Sequence, residues 1–261
     1  MQKMKIMATI ILMMFILLAC STNNSTNASL GSATNNSSAP TAGAGNDMYY
    51  EYKLNTSSKE MGIQGDTKMY ISSKGDMRVE MNTITTFKGH NSSVQMVTIG
   101  HSDKPDESIS IDDAAKTFSI NHFSDSDLNT HESIKSTVQK IGEEKILGFN
   151  SVHARIISNK SVGNFYSDVD TIDIWKSNEV PMLASVKELF DKFEAKTGNS
   201  MYSMDAVHQL KQLGCTGFLT KMEIHSKRSS TTEDLVKVEH RDLVSNMFQV
   251  PSGYTETKDG M

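Results

Sequence analysis

Apolar and polar residues alternate along most of the first half of the chain. Met48–Leu54 opens this pattern and Asp66–Ser72 repeats it. Lys74-Gly75-Asp76 then supplies a tight turn, after which Met77–Met81 alternates again. A period of two predicts β-strands, and the short turn between two of them predicts a hairpin. The later segments with this pattern are 93–99, 108–111, 117–120, 135–141, 152–157, 170–175, 218–225 and 235–243, with residues 142–150 as a connection.

The period changes after residue 184. Ser185 and Glu188 form a capping box, which marks the start of a helix. The apolar residues that follow at helical spacing are Val186, Leu189, Phe190 and Phe193. We therefore predict an amphipathic helix over Val186–Lys196 and a second one over Ser203–Leu213. Many strands with a late helical pair predict an α+β fold, in which two helices cover one face of a strongly curved antiparallel sheet.

The first residues have the layout of an export signal. Lys3 and Lys5 give a positive start, and the apolar run Ile6–Leu18 follows. This run is shorter than the roughly 20 residues that a membrane-spanning helix needs. Leu17-Leu18-Ala19-Cys20 resembles a lipobox, in which the cysteine thiol receives diacylglycerol before cleavage just upstream. Residues 1–19 are therefore predicted to be a lipoprotein signal peptide.

The lipobox resemblance implies that Cys20 carries three acyl chains, and two or more chains hold a protein stably at a membrane. Ser21 follows in place of an aspartate, so we expect outer-membrane rather than inner-membrane placement if the source is Gram-negative. Residues 20–46 are almost entirely Ser, Thr, Asn, Ala and Gly, which bury too little apolar surface to offset the entropy of ordering. We predict a lipidated, disordered tether at 20–46 and a single β-rich domain at 47–261.

Charge and motif content argue against several functions. The net charge of −5 becomes −7 without Lys3 and Lys5, and no basic cluster is present to bind nucleic acid. The eight histidines lack zinc-site spacing, and there is no nucleophile elbow and no phosphate-binding glycine loop. We therefore predict no catalytic residue, no metal and no cofactor. Cys215 is predicted to be a small buried residue, with a reactive thiol or an intermolecular bridge as the alternative.

Methionine is the unusual component. Of 17 methionines, twelve follow residue 19. Several share predicted strand faces with aliphatic residues: Met69, Ile71, Met77, Val79, Met81, Val94, Met96, Met222 and Ile224. These nine, with Leu189, Phe190 and Phe193 of the predicted helix, are candidates to line a deformable apolar cavity, because the unbranched thioether repacks around varied shapes. Ordinary core packing is the alternative interpretation.

Three short segments carry a family resemblance: Lys145–Asn150, Ile172–Ser177 with the later Pro181, and Phe248–Tyr254. In this order they resemble a family of uncharacterised bacterial envelope proteins, related in fold to periplasmic lipoprotein carriers. The resemblance implies a half-open β-barrel with helices over its concave face, in which the carriers hold acyl chains. A lipid anchor at Cys20 departs from those freely diffusing carriers.

Two hypotheses of different classes follow from these patterns. In the first, the chain is a non-enzymatic envelope lipoprotein that holds an apolar ligand, such as a lipid, in the half-barrel. In the second, the interior is fully packed and exposed loops bind a protein or glycan partner. Fold similarity alone does not choose between them.

Cys20→Ser is expected to abolish lipid attachment and lipoprotein cleavage, because the serine hydroxyl does not replace the acylated thiol. Metabolic labelling with a palmitate analogue measures this. The Cys215→Ser variant serves as the matched control and should keep the label. Label retained on the Cys20→Ser protein would contradict the lipobox assignment.

Overall fold

The computed structural model describes residues 45–122, 134–162, 166–183 and 204–257. Within them, twelve strands form one sheet, accompanied by one α-helix and a 3-10 turn at Ser245–Phe248. The first six strands are β1 (Asp47–Ser58), β2 (Met61–Ile71), β3 (Met77–Phe87), β4 (His90–His101), β5 (Lys104–Asp112) and β6 (Thr117–His122). The remaining elements are β7 (Ile134–Ile146), β8 (Phe149–Val162), β9 (Tyr166–Ser177), α1 (Met204–Gln212), β10 (Phe218–His225), β11 (Ser229–Arg241) and β12 (Thr255–Glu256).

The sheet consists of two antiparallel meanders joined at one strand pair. The strand order is β12-β6-β5-β4-β3-β2-β1-β11-β10-β9-β8-β7. Within the meanders β1–β6 and β7–β11, strands that follow one another in the chain are paired. The β1–β11 pair joins the two meanders. All pairs are antiparallel except β12 with β6. The sheet is unclosed, since β7 and β12 are its edges, and the prediction of one large antiparallel sheet is confirmed.

β-Bulges bend this sheet. The strand register shifts in four pairs: β1–β11, β4–β5, β7–β8 and β9–β10. A bulge places two residues of one strand opposite one of its partner, which bends the strand and increases its twist. Four bulges spread over both meanders explain why the sheet curves into a half-barrel.

The prediction that residues 142–150 form a connection is wrong, because most of this segment belongs to β7 and β8. The strands β7 and β8 continue through this segment to a two-residue turn, Leu147-Gly148, with φ of 50° and 86°. Two consecutive residues with positive φ match the twist of a hairpin. The register shift near Gly142 interrupts the alternation of apolar and polar residues in β7. The sequence pattern therefore ends at this point, although the strand continues.

A single α-helix is found in the described part of the chain, where two were predicted. Its bounds, Met204–Gln212, lie within one residue of the predicted second helix. The predicted helix Val186–Lys196, with Leu189, Phe190 and Phe193, lies outside the described residues. At the end of α1, Gly214 has a φ of 73°, and Cys215 N–H donates to Leu210 O at 2.9 Å. This is a Schellman-type helix end, which turns the chain towards β10.

The core lies mainly on the face of the sheet that α1 covers, here called the inner face. On β8 to β10 this face carries the helix cluster, in which Ile156, Ile174 and Met222 pack against Val207 and Leu210 of α1. On β1, β2, β3 and β11 it carries the central cluster, formed chiefly by Met48, Tyr50, Tyr52, Met69, Ile71, Val79 and Leu235. Cys215 is buried in the helix cluster, as expected for a small core residue.

A smaller cluster covers the opposite, outer face of β4 and β5. Val97, Ile99 and Ile111 contact Phe248 of the 3-10 turn. The C-terminal segment thus closes over this part of the outer face, and β12 then pairs with β6. The Phe248–Tyr254 motif is therefore a packing element of the fold.

Ile156→Ala is expected to lower the free energy of unfolding by about 2–5 kcal/mol, because Ile156 is fully buried under α1. Its neighbour Ile157 points to the other face and is 40% exposed, so Ile157→Ala should change that free energy by only about 0.5 kcal/mol. Urea unfolding followed by circular dichroism measures both. Equal losses in the two variants would contradict this assignment of faces.

Candidate functional site

Strand register decides which residues share the inner face. Residues directly opposite each other in neighbouring strands point to the same side, because side chains alternate along each strand. One such row runs from Leu54 of β1 through Glu233 of β11 and Met222 of β10 to Ile174 of β9. Since Ile174 packs against α1, the whole row lies on the inner face.

The same reasoning places all nine strand candidates on the inner face. Their strand partners connect them row by row to Met48, Tyr50, Tyr52, Leu54 or Thr56 of β1. The nine are Met69, Ile71, Met77, Val79, Met81, Val94, Met96, Met222 and Ile224. The register thus brings together residues from strands that are up to 155 positions apart in the chain, between Met69 and Ile224.

Burial of these nine side chains changes along the strands. Met69, Ile71 and Val79 belong to the central cluster, and Met222 and Ile224 to the helix cluster. Met81 is buried against Leu54, whereas Met77 and Met96 are only partly buried. Val94 is 47% exposed. The inner face is therefore densely packed in its middle and open at one end.

The open end lies at the tips of the β1–β2 and β3–β4 hairpins. Phe87 is 46% exposed and lies opposite Met61, so both belong to the inner face. Ile63 is partly buried against Leu54 and Met81. We call the five residues Met61, Ile63, Phe87, Val94 and Met96 the rim strip. It continues the apolar inner face from the interior to solvent.

Two tyrosines fix the centre of the inner face. The Tyr50 hydroxyl donates to Pro181 O at 2.7 Å, and the Tyr52 hydroxyl donates to Leu219 O at 2.8 Å. The Tyr50 ring stacks on Phe218 with 4.4 Å between centroids. Burial raises the pKa of both hydroxyls, so they remain neutral donors. They attach β1 to the segment that follows β9 and to β10.

Glu233 is the unexpected residue of the inner face. It is only 2% exposed, and its Oε2 atom has no hydrogen-bond partner among the described residues. Burial, and then the negative charge of Asp234, raise the pKa of Glu233 well above its usual range. The raised pKa favours the protonated, neutral form of this carboxyl group. Sequence reasoning missed Glu233, although it shares the strand parity of Leu235, which signals an inward direction.

Small polar groups occupy the inner face of strands β4 to β6. Thr98 lies opposite Val79 on β3 and Ser110 on β5, so this side of β4 to β6 shares the inner face. Thr98 Oγ1 and Ser108 Oγ are buried and lack hydrogen-bond partners within the described segments. Asn121 Nδ2 donates to Ser110 Oγ at 3.0 Å. The inner face thus combines an apolar methionine-rich region with a flank of small polar groups.

A polar cluster lies on the outer face, behind the helix cluster. Asp173 accepts hydrogen bonds from Arg155 Nε and Nη2, each at 2.9 Å, and its contact with His153 Nε2 is 2.8 Å. Burial opposes ionisation of Asp173, but these hydrogen bonds outweigh it and lower its pKa. The His153 ring stacks on Trp175 at 3.9 Å, and Lys221 lies 4.6 Å from the Trp175 centroid.

Three members of this region come close enough to consider a metal site. Ligand atoms of Asp173, Glu223 and His225 lie within 4.8 Å of one another. Both Asp173 oxygens already accept from Arg155, and Glu223 Oε1 lies 2.7 Å from Lys221 Nζ. These cations neutralise the carboxylates that a metal ion would need, so the cluster is a salt-bridge network.

A shallow cleft of about 290 Å³ opens beside the central cluster. Val180, Met182 and Phe218 form its apolar part, and Ser177, Asn178 and Glu179 contribute polar atoms. Gly217 also lines it with a φ of 91°, and a Cβ there would lie 2.4 Å from Ser177 O. Glycine is therefore required at this close approach of the strand ends.

Comparison with solved structures gives similarities of low magnitude. LprF from Mycobacterium bovis aligns with 81% of this chain and 90% of its own length, at 8% identity and a TM-score of 0.33. A DUF1329 family protein from Desulfovibrio piger aligns with 79% of this chain and 90% of its own, at 11% identity and a TM-score of 0.24. A LolA superfamily protein from Nitrosomonas europaea aligns with 80% of this chain and 92% of its own length, at 8% identity and a TM-score of 0.24. At these TM-scores the similarities carry no argument for function.

No curated protein matches the sequence. In the described part of the chain, no helix has the length and apolar character that crossing a membrane requires. The expectation of an uncharacterised family is confirmed, because the family described as "Domain of unknown function (DUF4412)" matches residues 51–254. Since this match covers most of the sequence, the chain belongs to the DUF4412 family.

Proposed function

We propose that this protein is a lipid-anchored lipoprotein of the bacterial cell envelope that binds an apolar ligand of the lipid class on its inner face, without catalysing a reaction. The observation that carries the proposal is the apolar inner face that continues from the buried interior into the rim strip. Cys20, as the lipidated residue, would hold the domain beside the membrane, where lipids are the abundant apolar molecules.

The rim strip supports ligand entry at the hairpin tips. Phe87 and Val94 are each close to half exposed, and they belong to the same face as the buried Met81. Thr83, Thr85 and Ser92 lie between them on this face, and exposed apolar side chains that lead into a buried interior are typical of binding grooves. An apolar ligand that covered the rim strip would remove this surface from water, which gives a favourable term of about 25 cal/mol per Å².

The methionines support a ligand of variable shape. Met81 and Met96 lie opposite each other where the inner face changes from buried to partly buried, and Met77 is partly buried at the other end of β3. A thioether side chain has three rotatable bonds and no branch, so it adjusts to an inserted chain at low cost. The inner face can therefore be packed without ligand and still accept one by moving these side chains.

A second candidate function is an envelope interaction protein with a filled interior. Six of the nine strand candidates have exposures between 1% and 6%, which favours ordinary core packing for that part of the face. In this case the exposed loops would bind a protein or glycan partner. The two candidates differ in whether the rim strip takes up an apolar molecule.

Met96→Lys is expected to weaken binding of the hydrocarbon probe 1,6-diphenylhexatriene by at least about tenfold, because it places a charge within the rim strip. Met96 is partly buried, so the lysine amine can reach water and the fold should persist. The control is Gln95→Lys, which adds the same charge at the next residue, on the opposite face. Probe fluorescence measures binding, and thermal unfolding checks the fold.

The wild-type protein and Gln95→Lys should bind the probe alike. No binding to the wild type would reject the lipid-binding proposal and leave the interaction protein as the better candidate. Equal binding to both variants would place the probe outside the inner face and would also reject the proposal.

A further inference from the structure

Glu233 occupies the middle of the inner face. It lies directly opposite Leu54 on β1 and Met222 on β10, both buried apolar residues. Such cross-strand neighbours have Cβ atoms about 5 Å apart. Leu54 in turn contacts Met81, and Met96 and Ile63 pack against this pair. Apolar contacts therefore lead from the rim strip to the Glu233 carboxyl group.

One oxygen of the buried Glu233 carboxyl group is unsatisfied within the part of the chain that the structure describes. Its Oε2 atom is buried and has no hydrogen-bond partner among the described residues. Leaving such a group unsatisfied destabilises a fold, whereas an apolar side chain of similar volume would not. Unsatisfied buried groups are therefore expected where a ligand supplies the missing partner.

The protonation state of Glu233 restricts the chemistry of that partner. Burial and the nearby Asp234 raise the pKa of Glu233, which favours the protonated form with an O–H that can donate. Tyr52 also lies close enough to interact with it electrostatically. A neutral O–H donor in apolar surroundings matches a neutral carbonyl oxygen, whereas a carboxylate ligand would bring an unpaired charge into the interior.

We propose that Glu233 is the polar recognition residue of the inner face and donates a hydrogen bond to the carbonyl oxygen of an esterified acyl chain, whose hydrocarbon part lies along the face towards the rim strip. This inference rests on the proposed lipid binding and adds the chemical class of the ligand. From Glu233 to the rim residue Val94, the row crosses β11, β1, β2, β3 and β4, a path of about 19 Å at ordinary strand spacing.

Displacement of 1,6-diphenylhexatriene by three competitors tests this assignment: methyl palmitate, heptadecane and palmitic acid. Wild-type protein should bind the ester roughly three- to tenfold more tightly than the alkane, as one hydrogen bond provides. Glu233→Leu should lose this preference but keep probe binding, since its side chain is apolar. Glu233→Gln should keep the preference, because an amide N–H still donates.

Each outcome has a distinct meaning. Equal binding of ester and alkane by the wild type, with the probe still bound, would overturn the role of Glu233 and leave the proposed lipid binding intact. Tighter binding of palmitic acid than of the ester would overturn the ester assignment. Failure of the probe to bind at all would reject the proposed function itself.

Stability against pH tests the neutral state of Glu233 independently of any ligand. A raised folded-state pKa means that the folded protein keeps a proton that the unfolded chain has released. The contribution of Glu233 to the free energy of unfolding is therefore fully present below the unfolded pKa of about 4.3. It is lost as the pH rises towards the folded-state pKa. The urea midpoint of the wild type should fall across this range relative to that of Glu233→Gln.

The matched control for the pH experiment is Glu60→Gln, which changes an exposed glutamate at the β1–β2 turn. It should follow the wild type at every pH. If Glu233→Gln also followed the wild type, Glu233 would ionise like an exposed residue. The neutral donor, and with it the inference, would then be excluded.

Discussion

The pairing of β1 with β11 is the constraint on which the rest of the structure depends. Each meander forms from hairpins that are local in the chain, but Asp47 pairs with Arg241 across most of the sequence. Asp47 also accepts hydrogen bonds from Ser73 N at 2.6 Å and Leu243 N at 2.9 Å, which anchors the end of this pair. Closing such a long loop costs conformational entropy, which is offset only by the contacts that form when both meanders dock. This pairing makes two half-sheets into one inner face and brings Leu54 opposite Glu233.

Two buried carboxyl groups illustrate how the faces of this sheet differ. Asp173 and Glu233 are each 2% exposed. On the outer face, Asp173 is held by Arg155 and His153, whose hydrogen bonds lower its pKa against the effect of burial. On the inner face, Glu233 Oε2 has no hydrogen-bond donor among the described residues, and burial raises the pKa of Glu233. A buried charge requires compensation, so Asp173 is part of the structural framework, whereas the raised pKa of Glu233 favours its protonated form.

The proposed function follows from this difference between the faces. On the outer face behind α1, salt bridges neutralise the carboxylates of Asp173 and Glu223. The inner face combines methionines, an exposed rim at Phe87 and Val94, and the buried Glu233, whose pKa is raised by burial. Apolar pockets with a few polar groups are the usual form of sites for small apolar ligands. A lipid anchor at Cys20 would keep such a site next to its source of ligand.

The sequence by itself determined the local elements: alternation located most strands, and helical spacing located α1 within one residue. Met77, Val79 and Met81 were assigned to one strand face because period-two patterning is a local property. It also indicated the uncharacterised family from short motifs. Only the tertiary structure decided where bulges let strands continue, as at Gly142, and which distant strands pair. The neighbours of Glu233 were decided there as well: parity with Leu235 indicates an inward side chain, but register across β1 and β11 is non-local and alone places it opposite Leu54.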